Sequence, residues 1–161
     1  MPPLDIDMLG GDLPTATGFV FELDGVPIGV FREVKGLNVR LETAEFNEGG
    51  QNSFVHRVPG RMIWENIVFR RGLTNNDALF EWFEHTSGEG FATKQNKLVK
   101  RSGAIVAMNF TGRRLRAWEL IDAFPVRWTG PDFSTQKLEP LEEELEIAHH
   151  GFRTRTMSGA G

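Results

Sequence analysis

Two of the chain's four histidines are adjacent, His149 and His150, and imidazole can bind metals or move protons near neutral pH. Neighbouring side chains on a strand point to opposite faces, and on a helix they diverge by about 100°. Neither geometry lets the two rings hold one metal ion. The other two histidines, His56 and His85, lack the spacing of a ligand motif such as H-E-x-x-H. We therefore predict no metal site and interpret the adjacent pair as a surface or turn feature.

Other routes to catalysis lack the residues that they need. The sequence has no cysteine, which removes thiolate nucleophiles, cysteine metal ligands and disulfides, and favours folding in a reducing cytoplasm. It contains no G-x-G-x-x-G or P-loop pattern after a strand, and no G-x-S-x-G. Its carboxylates lie in alternating or clustered positions that single out no acid–base pair. We predict no catalytic residue, no cofactor and no enzymatic activity.

Charge is divided between two segments of the chain. Residues 94–116 carry seven cations and no acid, and residues 139–146 carry five glutamates. The net charge of −4 argues against a general nucleic-acid binder, whose phosphate contacts need a basic surface. We favour the interpretation of the basic segment as the solvated rim of a strand pair. The alternative is a monomeric β-barrel that binds nucleic acid or another polar ligand through the strip from Lys94 to Arg116.

Length and composition indicate one globular domain. With 161 residues, 40% of them hydrophobic, the chain can bury a core, and its 18 glycines and eight prolines favour short strands joined by turns. Residues 1–16 are interpreted as an irregular N-terminal arm that lacks the apolar run of a signal peptide, and residues 153–161 as a flexible tail. No window reaches the length of a membrane span. We expect no membrane insertion, and synthesis in the cytoplasm.

The first third of the chain alternates in the manner of paired strands. Two apolar runs flank Asp24 and Gly25, which together are the signal of a two-residue hairpin turn. In residues 37–41 the two leucines and the valine share one face, which predicts a half-buried strand. Residues 45–61 are polar and rich in glycine and proline, so we interpret them as a long loop that is functional or mobile.

One segment has the period of a helix. Thr74, with Asp77 three residues later, indicates a capping box at its start. Leu79, Trp82 and Phe83 then follow at the spacing of a buried stripe, which predicts a short helix packed on a sheet.

The acidic segment after Pro140 fits two structures. Its glutamate and leucine content favours a helix. The alternation of Leu145 and Ile147 with polar residues also permits a strand. Propensity alone favours the helix.

Seven sequence blocks occur in a fixed order between residues 17 and 152. They are FVFELDGVPIGVFREVKGL (Phe19–Leu37), EFNEGGQN (Glu45–Asn52), VPGR (Val58–Arg61), IVFRRG (Ile67–Gly72), LFEWFE (Leu79–Glu84), WELIDAFPVRWTGPD (Trp118–Asp132) and LEIAHHGF (Leu145–Phe152). In this order and spacing they resemble the tail-tube proteins of contractile phage tails, a family shared with phage-derived extracellular contractile injection systems.

The resemblance implies a mainly β fold, a compact β-barrel or sandwich over residues 17–152 with one α-helix packed against it. It implies a long polar loop or hairpin at residues 45–61 and a strand at 145–151, which overrules the helix propensity. It also implies homo-hexameric rings that stack into a hollow tube in a virion tail or phage-like particle. The implied partners are other copies of the chain, the sheath protein, baseplate and tail-terminating proteins, and cargo or DNA in the lumen.

Within that fold, the aromatic segment of residues 118–133 is expected to shape the core. We predict that the strand bends at Pro125, a residue tolerated at an edge or a bulge, and that Phe124, Val126 and Trp128 point inward. The predicted core-packing residues are Trp82, Phe83, Phe124 and Trp128.

The predicted subunit and ring interfaces lie in the polar segment and in the two charged runs. A long polar loop buries nothing in one subunit, whereas an interface provides partners for its backbone. The runs at 113–116 and 142–146 have opposite charge and are predicted to face each other across subunits or rings. The candidate interface residues are Asn47, Glu48, Gly49, Gly50, Gln51, Asn52, Pro59, Gly60, Arg113, Arg114, Glu142 and Glu144.

Overall fold

A computed structural model describes residues 15–47, 49–50, 55–86, 100–136 and 138–156. Ten strands and one helix follow one another within these ranges. They are β1 (Gly18–Leu23), β2 (Val26–Phe31), β3 (Glu33–Lys35), β4 (Val39–Phe46), β5 (His56–Trp64), β6 (Ile67–Gly72), α1 (Ala78–Thr86), β7 (Arg101–Met108), β8 (Arg114–Thr129), β9 (Glu142–Ala148) and β10 (Phe152–Thr156). The predicted mainly β class with one helix is confirmed.

The 16-residue strand β8 joins two sheets. Its first half pairs with β7 and β10 in a first sheet that continues through β1 to β2, and its second half pairs with β9 in a second sheet that continues through β6 to β3. Between the halves Asp122 has a φ of 52°, and the register on β7 jumps from Leu120–Gly103 to Ala123–Arg101. The chain bends there. The described strands therefore form two layers of a sandwich that is not closed into a barrel.

The core lies between the two sheets and beneath helix α1. The ring of Phe21 in the first sheet lies 4.6 Å, centroid to centroid, from that of Phe69 in the second, and 5.6 Å from that of Trp82 in the helix. All three side chains are buried. Burying a side chain of this size contributes about 1.5–3 kcal/mol. This junction consequently holds both layers and the helix together.

The first two strands are joined by the predicted two-residue turn. Asp24 and Gly25 have φ values of 50° and 82°, the pair of left-handed residues that a type I′ turn requires. The Ser102 backbone N–H donates to Asp24 Oδ1 at 3.2 Å and ties the turn to the start of β7. The hairpin prediction is confirmed by the antiparallel register of β1 and β2.

Helix α1 begins at Ala78, later than the predicted capping box places it. Thr74 Oγ1 accepts from the Asn76 N–H at 3.2 Å, while Asn76 Oδ1 accepts from the Ala78 N–H at 2.9 Å. Asn76, and not Thr74, satisfies a donor of the first turn, so the predicted cap is wrong in position. On the helix itself Trp82 is buried, whereas Phe83 is only half-buried.

The aromatic part of β8 faces the core in a different register from the predicted one. Ala123 and Pro125 are buried, a register shift follows Pro125, and Trp128 then packs partly buried against the core. The prediction that Phe124 and Val126 point inward is wrong, because Phe124 is half-buried and Val126 is 39% exposed. From Phe124 onward β8 has only β9 beside it among the described strands, and such an edge tolerates proline.

Strand β9 confirms the extended form of the acidic segment. Glu143, Leu145 and Ile147 are buried and alternate with half-buried residues. The strand lies between β6 and β8, which pair with its two edges. Ladder hydrogen bonds on both sides and burial of one face outweigh the helix propensity of its glutamates and leucine.

The predicted flexible tail is a strand over its first residues. Phe152–Thr156 form β10, antiparallel to Leu120–Arg116 of β8. The prediction of a loose tail from residue 153 is therefore wrong as far as residue 156.

Candidate assembly surface

Strands β4 and β5 form a projecting hairpin, described at residues 39–47, 49–50 and 55–64, which pairs with no other described strand. Every residue of β4 is exposed, so the prediction of a half-buried strand at residues 37–41 is wrong beyond Leu37. The described residues of the predicted polar loop at 45–61 lie in the outer part of this hairpin. Its candidates Glu48, Gln51 and Asn52 lie outside the described residues.

The other candidates from the polar segment occupy two places in the hairpin. Asn47, Gly49 and Gly50 are exposed near its tip. Pro59 and Gly60 lie in β5 beside an irregularity in the register, where two residues of β5 stand opposite one of β4. A Cβ on Gly60 would lie 3.1 Å from the carbonyl oxygen of Glu42, so this close approach favours glycine.

Apolar side chains are exposed on both faces of the projecting hairpin. Near its base Val39, Leu41 and Met62 share one face, since Leu41 and Met62 are directly paired and residues two apart on a strand point the same way. We call these three the base patch. Near the tip Phe46 and Val58 share the other face, and we call these two the tip patch. Their exposed fractions are 46%, 49% and 60% for the base patch and 57% and 41% for the tip patch.

The base of the hairpin is anchored on the corner between β9 and β10. The Trp64 ring packs edge-on against Phe152 at 4.9 Å between centroids. His149 Nε2 lies 2.8 Å from the Glu65 carbonyl oxygen, and the Gly151 N–H donates to His149 Nδ1 at 3.0 Å. These two bonds assign the neutral tautomer with its proton on Nε2, because Nδ1 must accept. His149 is thus a buried structural residue.

The adjacent histidine points elsewhere. His150 Nδ1 lies 3.2 Å from Asp122 Oδ2 at the bend of β8. Across the described ranges, no group of three or more histidine and carboxylate side chains is placed to hold a metal ion.

The charged candidates each occupy a different setting. Arg114 donates to Glu22 Oε1 at 2.6 Å. Glu142 accepts from Arg32, and Glu144 accepts from Arg70 at 2.9 Å. Arg113 is exposed and has no ion pair among the described residues. The structure does not bring the run at 113–116 together with the run at 142–146 within one subunit.

Arg70 lies at the centre of the ion pairs on the outer face of the second sheet. It contacts Glu144 at 2.9 Å and Glu33 at 3.4 Å. The hydrogen bond that Arg70 donates to Glu144, followed by the charge of Glu33, raises the pKa of Arg70. A hydrogen bond from Lys35 is the main cause that lowers the pKa of Glu33, with the charge of Arg70 adding to it and desolvation opposing it.

A buried ion pair lies below this network and was missed by the sequence reasoning. Arg71 and Glu143 are cross-strand partners with side chains 4% and 8% exposed, and the Arg71 guanidinium bonds Glu143 Oε1. It also donates to the Asn76 carbonyl oxygen at 3.0 Å, while Trp128 Nε1 donates to Glu143 Oε2 at 3.4 Å. The sequence does contain a signal of this burial. Ile67 and Phe69 point inward at alternate positions of β6, and Arg71 is the next residue in that alternation.

A shallow groove of about 280 Å³ opens beside this buried pair, between the start of helix α1 and the end of β8. Phe80 and Trp128 form its floor, with ring centroids 5.0 Å apart in an edge-to-face arrangement. Leu73 and Pro131 flank them. We call this feature the Phe80–Trp128 groove.

Comparison with protein families gives one match, to the T4-like virus tail tube protein gp19 family, over residues 15–153. The chain belongs to this tail tube family. A comparison with curated protein sequences gave no match.

Solved structures that share the fold of this tail tube protein include the following three. A chain of the extended sheath–tube complex of an extracellular contractile injection system, PVC, is 22% identical, with a TM-score of 0.75 over 96% of this chain and 100% of that one. A chain of the anti-feeding prophage tube-terminating cap is 23% identical, with a TM-score of 0.73 over 91% and 92% of the two chains. A chain of the anti-feeding prophage baseplate is 21% identical, with a TM-score of 0.71 over 91% and 97%.

The tail tube protein also leaves two strand edges open in its first sheet. Among the described strands, β2 pairs only with β1, and β10 pairs only with β8. Val26 and Val30 on β2 are 62% and 60% exposed. Unpaired edges of this kind are templates for another strand. In the described parts of the chain, no helix has the length and apolar character needed to cross a membrane.

Proposed function

We propose that this tail tube protein is the repeating subunit of the inner tube of a contractile particle, with six copies in each ring and the rings stacked inside a sheath. The observation that carries the proposal is the projecting hairpin, which exposes apolar side chains on both faces. A two-stranded hairpin is at most marginally stable alone in water. Other copies of the chain supply the burial that one subunit lacks.

The open edges of the first sheet support ring closure. An isolated subunit with free edges at β2 and β10 invites uncontrolled strand pairing. A head-to-tail contact that closes after a fixed number of copies covers the open first-sheet edge of each subunit with the next subunit, so that neither β2 nor β10 stays unpaired in the ring. The structure of one subunit therefore supports assembly over a monomeric role.

The partners in this proposal follow from where the related chains are found. The solved relatives come from a sheath–tube complex, a tube-terminating cap and a baseplate. We extend this setting to the present chain, with the sheath around the tube, baseplate and terminating proteins at its ends, and DNA or cargo in its lumen. Residues 17–152 act as the tube domain, flanked by the N-terminal arm of residues 1–16. The role is structural, without catalysis.

The alternative role in nucleic-acid binding has less support. Arg101 lies 3.8 Å from Asp24, and Arg114 bonds Glu22, so two cations of the basic strip are engaged within the subunit. A phosphate-binding strip needs cations that are free to face the ligand.

Electron microscopy and sedimentation of the purified chain test the proposal. We expect tubes of stacked rings, and we expect deletion of Asn47–Asn52 to leave a folded subunit that no longer forms them. Circular dichroism and thermal unfolding of the deletion variant control for loss of the fold. Tubes of normal length from that variant contradict the role of the hairpin. A monomer at all salt concentrations, with oligonucleotide affinity that falls steeply with salt, favours the alternative.

A further inference from the structure

Strand β10 has one open edge at the border of the first sheet. Among the described strands it pairs only with β8, from Phe152 opposite Leu120 to Thr156 opposite Arg116. The backbone N–H and C=O groups on its other edge have no ladder partner within the described ranges. Such an edge is a template for uncontrolled strand pairing, and proteins commonly cover it with another segment of their own chain. The free subunit therefore has a surface that one further strand completes.

The side chains beside this edge differ between the two faces of the sheet. Arg153 and Arg155 are exposed on the face that points away from the core. Arg155 bonds Glu119 at 2.9 Å, whereas Arg153 has no ion pair among the described residues. On the other face Phe152 packs partly buried against the core. The open edge thus offers two cations on one face and apolar surface on the other.

The N-terminal arm has the complementary alternation. Its segment LDIDM (Leu4–Met8) lies outside the described residues, and in an extended chain its three apolar side chains fall on one face and its two aspartates on the other. Residues 1–16 carry three aspartates and no lysine or arginine. Charges of opposite sign on neighbouring strands stabilise a sheet, as do apolar side chains on a shared face. The sequence of the arm therefore matches both faces of the open edge.

The arm enters the first sheet at the end where β10 finishes. The Thr17 N–H donates to the Met108 carbonyl oxygen at 2.8 Å. The neighbouring Ala107 stands opposite Arg116, which in turn stands opposite Thr156. In the order β1-β7-β8-β10, a strand beyond β10 lies four strand spacings from β1, or about 19 Å. The nine residue steps from the end of LDIDM to Thr17 span up to about 30 Å. The arm is therefore long enough to reach the open edge of its own chain.

We propose that the N-terminal arm of the same chain pairs with the open edge of β10 in the free subunit. The C-terminal end of the arm reaches this edge at the C-terminal end of β10, so the two strands run parallel. In the register that places Asp5 beside Arg153, Asp7 lies beside Arg155, and the apolar side chains of the arm lie on the face of Phe152.

The docked arm has a regulatory effect on assembly. The edge of β10 is one of the two first-sheet edges that close a ring, so the arm and the next subunit compete for the same backbone groups. A free subunit with its arm in place does not pair with another free subunit at this edge, whereas a growing tube offers further contacts and displaces the arm. This effect rests on the proposed function, but docking of the arm is a property of the free subunit.

Disulfide cross-linking tests the docking, because the chain has no cysteine of its own. The variant Ile6→Cys with Thr154→Cys places the two thiols at the same level and on the same face in the parallel register. A disulfide requires Cα atoms within about 7 Å, so only a docked arm reacts efficiently. The purified chain is diluted until sedimentation shows monomers and is then oxidised. We expect an intramolecular disulfide, identified by peptide mass spectrometry in a band of monomer size on a non-reducing gel.

A matched control examines the other open edge. The variant Ile6→Cys with Val26→Cys places the second thiol on β2, where Val26 is 62% exposed, and we expect no disulfide from it. Thr154 is exposed as well, so neither variant loses a core side chain of the described residues. Absence of a disulfide in the first variant overturns the proposal. An equal yield in the control, or a disulfide that joins two chains, also overturns it.

Light scattering tests the effect on assembly. We expect the oxidised subunit with Ile6→Cys and Thr154→Cys to form no tubes until a reductant is added. Asp7→Lys turns the attraction to Arg155 into repulsion, and it should raise the initial rate of assembly about twofold to fivefold at low salt. Asp12→Lys makes the same charge change outside the paired segment, and an equal effect from it overturns the pairing of Asp7. Oxidised subunits that assemble as fast as reduced ones overturn the regulatory effect. If the wild-type chain forms no tubes, the proposed function fails, and the cross-link still decides whether the arm docks.

Discussion

Arg114 donates a hydrogen bond to Glu22 Oε1 at 2.6 Å, across β7 and on the face of the first sheet that points away from the core. Glu22 is buried, although Arg114 itself is about half exposed. Val20 and Val106 share this face and are buried as well. Arg114 therefore has a structural role within one subunit, and of the two arginine candidates only Arg113 has no ion pair among the described residues.

Replacing Arg114 by glutamate is expected to destabilise the folded subunit. The change removes a charge-assisted hydrogen bond and places a second carboxylate beside the buried Glu22. We expect a loss of about 2 kcal/mol in the free energy of unfolding, measured by urea denaturation. Arg113→Glu is the matched control and should change stability by less than about 0.5 kcal/mol. Equal stability of the two variants would contradict the assignment.

Assembly of the Arg113→Glu variant should depend on salt in a defined way. If Arg113 pairs with a carboxylate of another copy, its reversal turns attraction into repulsion, and each ring repeats the effect. Screening at about 1 M salt shortens the Debye length to about 3 Å. It therefore removes most of the attraction in wild type and most of the repulsion in the variant. Light scattering should therefore show weaker assembly than wild type at low salt and a smaller difference at high salt. A difference that does not change with salt argues against charge pairing at this residue.

Truncation of Trp82 should cost far more stability than truncation of Val126. Trp82 packs on Phe21 in the core and is 6% exposed, so Trp82→Ala removes a full core side chain at a cost of about 3–5 kcal/mol. Val126 points outward at 39% exposure, and Val126→Ala should cost less than about 1 kcal/mol in the monomer. Thermal unfolding of both variants checks the observed register of β8. Equal losses of stability in the two variants would indicate that Val126 points inward, as the sequence predicted.

The buried pair of Arg71 and Glu143 should show strong coupling. Removing either partner leaves an uncompensated buried charge, so Arg71→Met or Glu143→Leu alone is expected to cost about 3–5 kcal/mol. The double variant should lose clearly less than the sum, and a double-mutant cycle measures the difference. Arg155→Ala provides the exposed comparison, since its bond with Glu119 is worth about 0–1 kcal/mol. Additive losses at the buried pair would contradict the coupling.

Stability should carry a small pH-dependent contribution from Glu33. The hydrogen bond from Lys35 holds the folded-state pKa of Glu33 below its ordinary value of 4.5. A lowered pKa stabilises the fold above the unfolded-state value, and that contribution disappears as pH falls through the folded-state value. The Tm of wild type should thus exceed that of Glu33→Gln at neutral pH, with the difference vanishing in acid. In a Lys35→Gln background the difference should be smaller, and a difference that persists in acid refutes the assignment.

The local sequence pattern was sufficient to predict the structure wherever a few neighbouring residues determine the backbone geometry. Asp24 and Gly25 predicted the type I′ turn, because the left-handed φ of such a turn is a property of the turn residues themselves. The helix was predicted from its apolar period, and its capping residue was misplaced by two positions because Thr74 and Asn76 are both able to accept from the backbone. The seven ordered blocks identified the family, which the match over residues 15–153 confirms.

Long-range contacts decided the rest. The register shift in β8 adds one residue between Pro125 and Arg127, and this exchanges the inward and outward positions that follow. A regular alternation of apolar and polar residues does not predict such an extra residue. Strand β9 is extended because β6 and β8 supply ladder partners that are remote in sequence.

The charged and apolar candidate residues also show which features follow from the sequence alone and which depend on long-range contacts. The sequence determined by itself which residues carry charge and that the polar segment at 45–61 lies outside the core. Only the tertiary structure decided that Arg114 bonds Glu22, that Arg71 and Glu143 are buried together, and that β4 and β5 pair with no other described strand. Each of these contacts depends on which strands pair and in what register. Strand pairing joins segments that are distant in sequence, and it is determined by the burial of the whole core together and not by any local pattern.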